Sequence, residues 1–420
     1  MRGKKLAIGT SIVAAAMSAF SLMPTSAYAD YAPSSDDVVG VGSDTLQAGI
    51  NFVGDGDHLS DSGYNAGVPN KFISFDATAD ANTRLAYGVN GLGTGTCTPG
   101  TGGTQGTGNQ TTTHADSPCT LNPTVTLRAG TSPVLRPNGS GAGYNLLKAD
   151  LSQTTHLVDF ARASSARGTF SGLSSIVIGN DPLGMLTSGP TGNNASHAKR
   201  GLTLAELSSI YKCTTTNWSD VGGVSGTILP LLPQVGSGTR DFFLKALGGG
   251  SAITPGPCVQ NVEENDPEAI GASARPADAI EPMSQSRLFL FQGKLSDGSP
   301  NSGTNSTPYF NDPSCVGYST NASCTAANKA LNPNVKLWTT ADTAGTYYPT
   351  RPLYIYFRDA DINSSKPFQP GSSLNWVRTM LYNPGGATPY ICDGPGQALL
   401  SAAGIVPNPD CATSYVKNGA

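Results

Sequence analysis

The sequence predicts an α/β fold in two domains, and three observations carry that reading. Short apolar strand-like runs alternate with amphipathic helix-like stretches along the chain. The pattern strand, Gly/Ser turn, helix recurs at residues 42–45, 138–143 and 236–239. The 420-residue length leaves 391 residues after an N-terminal leader, which suits two domains better than one.

The leader comes first. Arg2, Lys4 and Lys5 precede an apolar run over residues 6–23, and Ala27-Tyr28-Ala29 fits the small-x-small cleavage pattern. Residues 1–29 therefore read as a signal peptide, with the mature chain starting at Asp30. There is no Cys near that point to carry a lipid anchor. No later apolar run is long enough to span a bilayer, so no membrane insertion is expected after cleavage. The expected location is secreted or periplasmic, and the expected state is a monomer.

Removing the leader leaves 22 Lys and Arg against 29 Asp and Glu, a formal charge of −7. That balance argues against nucleic acid as a partner. A small anion stays open, because backbone amides bind one without net positive charge. The eight cysteines are Cys97, Cys119, Cys213, Cys258, Cys315, Cys324, Cys392 and Cys411. In an exported chain they read as disulfides, favoured here as four neighbouring pairs in that order, although sequence alone leaves other connectivities open. No CxxC occurs, and the four histidines are scattered without ligand spacing, so neither a metal nor a cofactor is expected.

Along the chain, Val38 to Val41 reads as a buried strand. Leu46, Ile50 and Val53 then follow at helical spacing. Residues 72–75 form another strand. Residues 91–113 are Gly/Thr-rich and flanked by Cys97 and Cys119, which suggests a stapled surface excursion. Residues 124–127 and 134–135 look extended, residues 138–143 read as a flexible turn, and a helix starts near Tyr144. Residues 156–165 are a strand running into a polar turn, and residues 175–178 a short strand. The clearest helix is 202–211, where Thr203 and Glu206 form a capping box and Leu202 staples to Leu207. Residues 217–223 form a turn in which Trp218 packs. Residues 228–232 are a strand, followed by Gly236-Ser237-Gly238-Thr239 and a helix that stops at Gly248. The acidic stretch 263–266 reads as a solvated loop rather than a calcium site, since it lacks EF-hand spacing. Leu353, Ile355 and Phe357 alternate with Tyr354 and Tyr356 on a strand, and helices are expected over 374–382 and 397–403.

A Gly/Ser turn before a helix either caps the helix or holds an anion on the free N–H groups of its first turn. One such turn favours capping. Three in one exported chain favour helix N-termini converging on one ligand.

These segments resemble the phosphate-binding proteins of ABC uptake systems, which have the two-lobed periplasmic-binding-protein-like fold of type II. The likeness spreads over most of the mature chain, interrupted by loop insertions. Residues 42–45, 139–141, 160–165 and 236–239 look like the four ligand loops in the family's order. The stretch 202–223 looks like the helix and turn before the fourth. The resemblance implies lobe 1 at residues 30–180 plus 276–420, and lobe 2 at 181–275. It also implies capture of phosphate or a similar tetrahedral oxyanion between the lobes, delivery to an ABC transporter permease, and no catalysis. Ser43, Thr45, Ser140 and Ser165 would offer hydroxyls or amides, and Ser237, Gly238 and Thr239 a helix N-terminus.

Two positions depart from the family pattern. Pro233 stands where the family commonly has an Arg, and Ser165 where it commonly has an Asp. Arg162, Arg167 or Arg240 could supply the cation, each with a solvated surface charge as the alternative. Asp44 could supply the proton acceptor, with a helix cap as the alternative. Two other functions stay in view. One is a surface or matrix interaction protein that kept the fold and lost the ligand. The other is a secreted hydrolase, which lacks support because none of the Gly/Ser turns has the GxSxG spacing of a nucleophile elbow.

Overall fold

The computed structural model describes residues 33–57, 61–75, 77, 124–192, 194–266, 269–292, 294–299 and 335–419. The signal-peptide segment, the 91–113 excursion and the cysteines at 97, 119, 315 and 324 lie outside them. Among the described residues, no helix is long and apolar enough to cross a membrane.

The chain alternates strands and helices: β1 (Val38–Gly42), α1 (Asp44–Asp55), β2 (Phe72–Ser74), β3 (Thr124–Val125), β4 (Val134–Leu135), α2 (Gly139–Asp150), β5 (Phe160–Ala163) and β6 (Leu173–Ser188). There follow α3 (Leu204–Tyr211), β7 (Leu229–Pro233), α4 (Gly238–Leu247), β8 (Gln260–Val262), β9 (Ala279–Ser284) and α5 (Gln285–Phe291). The last elements are β10 (Val335–Trp338), β11 (Thr350–Arg358), α6 (Gly394–Ala402) and β12 (Val406–Pro407). A mixed sheet orders ten of the strands β2-β1-β5-β11-β6-β9-β7-β8, with β10 and β12 also on β6, while β3 and β4 pair as a separate two-stranded sheet.

The 16-residue β6 ties the sheet together. Its first part pairs antiparallel with β11, and its second part pairs with β9 and β10. At one side of this spine β1 runs parallel to β2 and β5; at the other, β7 runs parallel to β8 and β9. The carboxyl ends of β1 and β7 feed the Gly/Ser turns that start α1 and α4, the place where open α/β sheets bind ligands.

The apolar spacing explains the helices. Leu46, Ile50 and Val53 of α1 are fully buried in the largest apolar cluster, with Leu399, Leu400 and Ile405 from the C-terminal region. A second cluster gathers Leu202, Leu207, Ile210, Tyr211, Trp218, Leu232, Phe243 and Leu247. Each fully buried Leu, Ile or Phe side chain contributes about 1.5–3 kcal/mol. The capping box of α3 forms as its sequence implies: Thr203 Oγ1 accepts from Glu206 N at 3.4 Å, and Thr203 N donates to Glu206 Oε2 at 2.8 Å. Trp218 is buried in its turn and donates Nε1 to Asp278 O at 3.2 Å. Along β11 the alternation splits two faces, with Leu353, Ile355 and Phe357 in the first cluster and Tyr354 and Tyr356 in a third.

Cys213 pairs with Cys258 and Cys392 with Cys411, two of the neighbouring pairs expected. Three local expectations change. Residues 139–143 are the first turn of α2 rather than a flexible loop preceding it. The 175–178 strand is part of the much longer β6, because partners on both sides extend it. The 263–266 stretch is not solvated: Glu263, Glu264, Asn265 and Asp266 are all buried, and the first three are held by polar partners described below.

Candidate functional site

Four loops meet at the ends of β1, β5 and β7. In the first, β1 ends at Gly42, and Ser43 N donates to Arg162 O at 3.0 Å. Ser43 is the N-cap residue of α1, yet its hydroxyl caps nothing. That Oγ is fully buried and has no hydrogen-bond partner. The second loop opens α2. Gly139 adopts φ +88° and lies against the carbonyl of Gly236, itself at φ +96°, conformations that favour glycine. Gly141 N then donates to Gly236 O at 3.0 Å, joining the second loop to the fourth.

The third loop, after β5, brings Ser164. Its amide donates to Ser140 Oγ at 3.0 Å, and the two hydroxyls lie 3.3 Å apart. Gly238, the first residue of α4, sits on top of this pair. A Cβ there would stand 2.3 Å from both Ser140 Oγ and Ser164 Oγ, so only glycine allows the approach. Ser237 caps its own helix by accepting from Arg240 N at 3.1 Å. The N-termini of α1, α2 and α4 thus come together, each a positive dipole end whose first-turn amides have no intrahelical carbonyl to bond.

Glu264 links the first loop to the fourth. Its Oε1 accepts from Thr239 Oγ1 at 2.6 Å, Thr239 N at 3.2 Å and Thr45 Oγ1 at 3.2 Å. Its Oε2 is buried without a hydrogen-bond partner. Burial pushes the Glu264 carboxyl above its ordinary value and Asp44 adds to the rise, against the opposing pull of Thr239, Arg351 and Ser237. Asn265 Nδ2 donates to Asp44 Oδ2 at 3.1 Å and to Thr45 Oγ1 at 3.0 Å, and Arg287 lies 3.6 Å from Asp44.

A buried cation also reaches the cluster, from a position that no sequence motif marks. Arg351 of β11 is fully buried, pairs with Asp181 of β6 at 2.8 Å, and donates to Thr45 Oγ1 at 3.3 Å. Its Nη1 has no hydrogen-bond partner. Asp181 also accepts from Ser284 Oγ at 2.8 Å and Ser286 N at 3.0 Å, which fixes the pair where β6, β9 and α5 meet.

Of the residues singled out from sequence, Ser43, Asp44, Thr45, Ser140, Ser237, Gly238 and Thr239 lie together in this cluster. Arg162 lies directly beneath it, fully buried. Its guanidinium donates to the carbonyls of Ser43 at 3.2 Å, Gly42 at 3.2 Å and Phe75 at 2.8 Å, and to Ser74 Oγ, so it braces the first loop from below. Ser165 Oγ accepts from Arg167 at 3.0 Å, and Arg167 pairs with Asp241 at 2.5 Å across the third and fourth loops. Arg240 turns to the outside of α4, donating to Pro233 O at 2.8 Å and Asn261 Oδ1 at 2.9 Å. Sequence reading missed Ser164, Glu264 and Arg351. Ser164 neighbours a residue that was chosen, whereas Glu264 and Arg351 are brought in by strands distant in sequence. Among the described residues, no group of His, Cys, Asp and Glu is arranged to hold a metal ion.

Comparison with known proteins gives a family and a set of distant structural likenesses. No curated protein matches the chain. Among solved structures, an ABC-type phosphate transport receptor from Vibrio cholerae is 18% identical, covering 64% of this chain and 86% of its own, with a TM-score of 0.39. A putative phosphate ABC transporter substrate-binding protein with bound phosphate from Clostridium perfringens is 17% identical over 64% of this chain and 86% of its own, with a TM-score of 0.37. A phosphate binding protein from Stenotrophomonas maltophilia is 12% identical over 89% of this chain and 91% of its own, at 0.38. The model of the PBP superfamily domain matches residues 94–368, well over half of the chain. With a mixed α/β sheet and that match over more than half of its length, this chain belongs to the PBP superfamily.

Proposed function

We propose that the chain is an exported substrate-binding protein that captures a tetrahedral oxyanion, phosphate first, for uptake by an ABC transporter. One observation carries the reading: four loops and three helix N-termini meet where Gly238 lies against Ser140 and Ser164. Helix termini of this kind bind anions through backbone amides, and the buried hydroxyl of Ser43 is a donor still without a partner. Arg351, through its unpartnered Nη1, is the cation we assign to the ligand in place of the Arg that Pro233 displaces. Arg162 is assigned a bracing role.

The mechanism is capture without bond chemistry. Residues 30–180 plus 276–420 would form one lobe and residues 181–275 the other, and closure would desolvate the anion between them. The separate apolar cluster around α3, β7 and α4 supports a second lobe. The family supports binding rather than catalysis. The signal-like N-terminus supports export to a secreted or periplasmic location.

A second reading has one observation in its favour. Glu264 already holds the amide and hydroxyl of Thr239, as a bound anion would, which suits an interaction protein that kept the fold and lost its ligand. Calorimetric titration of the refolded, ligand-stripped chain with phosphate, then sulfate, at pH 7 and pH 5 separates the two. Tight phosphate binding is the expected result. A folded chain that gives no heat with either anion would overturn the receptor reading in favour of the second.

A further inference from the structure

Glu264 sits where an incoming anion has most to gain. Its Oε1 takes the first-turn amide and hydroxyl of Thr239 on α4 and the hydroxyl of Thr45 on α1. Those groups come from two of the three helix termini that the oxyanion reading uses. Its other oxygen, Oε2, is buried and has no hydrogen-bond partner, so the carboxylate is incompletely satisfied in its own pocket. Resting on the reading just given, we propose that Glu264 is an internal anion that occupies part of the oxyanion site and competes with the ligand for it.

The surrounding charges make the competition consequential. Asp44 of α1 lies close by, joined through Asn265 to Thr45, the partner of Glu264. Three buried cations lie near, but Arg351 of β11 is paired with Asp181, Arg287 of α5 lies beside Asp44, and Arg162 of β5 is held by the carbonyls of the first loop. Glu263, the neighbour of Glu264, accepts from Asn138 and Gln234 at 3.2 Å each, beside the second loop. A dianion entering this pocket meets carboxylates on several sides. It binds best when the Glu264 charge is removed, either by protonation or by swinging the side chain away. Burial already biases the carboxyl toward the neutral form. Its folded value is raised, so the neutral fraction grows as pH falls through that value, and oxyanion affinity grows with it.

The test is calorimetric titration of phosphate into wild type, Glu264→Gln and Glu264→Ala at pH 7.5 and pH 5, with folding checked by near-ultraviolet circular dichroism. The Gln variant keeps the shape and an acceptor but loses the charge; the Ala variant empties the space. Comparing variants at each pH cancels the ionisation of phosphate itself. Both variants are expected to bind roughly tenfold tighter than wild type at pH 7.5, or to bind where wild type is silent, with the gap narrowing at pH 5. If wild type binds and both variants bind equally or more weakly, Glu264 is not a competitor, while the receptor reading stands. If none of the three binds, the receptor reading falls and this proposal falls with it.

Discussion

The backbone of Gly238 meets the hydroxyl of Ser140: a Cβ built on Gly238 would lie 2.3 Å from Ser140 Oγ and equally close to Ser164 Oγ. This contact locks the start of α4 onto the start of α2. Gly238→Ala must displace the Ser140 and Ser164 hydroxyls, breaking the contact that joins the two helix termini. The expected cost is about 1–3 kcal/mol of stability together with a loss of phosphate affinity of roughly tenfold or more. Thermal melts and calorimetric titration of the variant check both.

Arg162 is assigned to the scaffold by its partners. It holds the carbonyls of Gly42, Ser43 and Phe75 from beneath the first loop. Arg162→Met leaves these buried acceptors unpaired and is expected to cost about 3 kcal/mol or more in urea unfolding. A variant of wild-type stability that has lost only its anion affinity would instead make Arg162 a direct ligand.

Glu281 gives a pH dependence of stability. It is buried on β9 and its Oε1 has no hydrogen-bond partner. Desolvation, reinforced by Asp266, raises its carboxyl well above the ordinary value of 4.5. With the folded value above the unfolded one, its stabilising contribution is fully present below the unfolded value. That contribution is lost as pH rises through the folded value. Glu281→Gln removes the loss. Its unfolding midpoint is expected to exceed that of wild type at pH 8 and to converge with it at pH 4, read from melts at the two pH values.

The Cys213–Cys258 disulfide closes a loop with a sequence separation of 45 and ties the end of α3 to the segment before β8. Replacing both cysteines with serine is expected to cost about 4 kcal/mol through the freed unfolded chain. Denaturant unfolding of the double variant measures it.

Much of this architecture was legible in the sequence because its signals are local. The capping box at Thr203 and Glu206, the helical spacing of Leu46, Ile50 and Val53, and the Gly/Ser turns before α1 and α4 depend on residues a few positions apart. The candidate site was half legible for the same reason. Ser43, Thr45, Ser140, Gly238 and Thr239 mark themselves as turn and helix-start residues, and the structure brings them together. Glu264 and Arg351 could not be found this way. Glu264 stands in an acidic stretch that looks solvated, and only the folding of β8 against β7 buries it beside Thr239. Arg351 sits on a strand whose neighbours are apolar, and its role depends on pairing with β6, far away in sequence. The three arginines that sequence favoured as cations are near the right loops, but each is held by other partners, a matter of side-chain direction that spacing does not encode.

The central claim is that an oxyanion binds where the four loops meet. The most direct measurement is anomalous diffraction from crystals of the chain grown with arsenate, a tetrahedral stand-in for phosphate whose arsenic can be located. The expected result is an arsenic peak placed so that the arsenate oxygens accept hydrogen bonds from Ser43 Oγ, Ser140 Oγ and the amide of Gly238, with Glu264 moved from its place on Thr239. A fully resolved cluster with no anion in it, and Glu264 still on Thr239 at saturating arsenate, would contradict it.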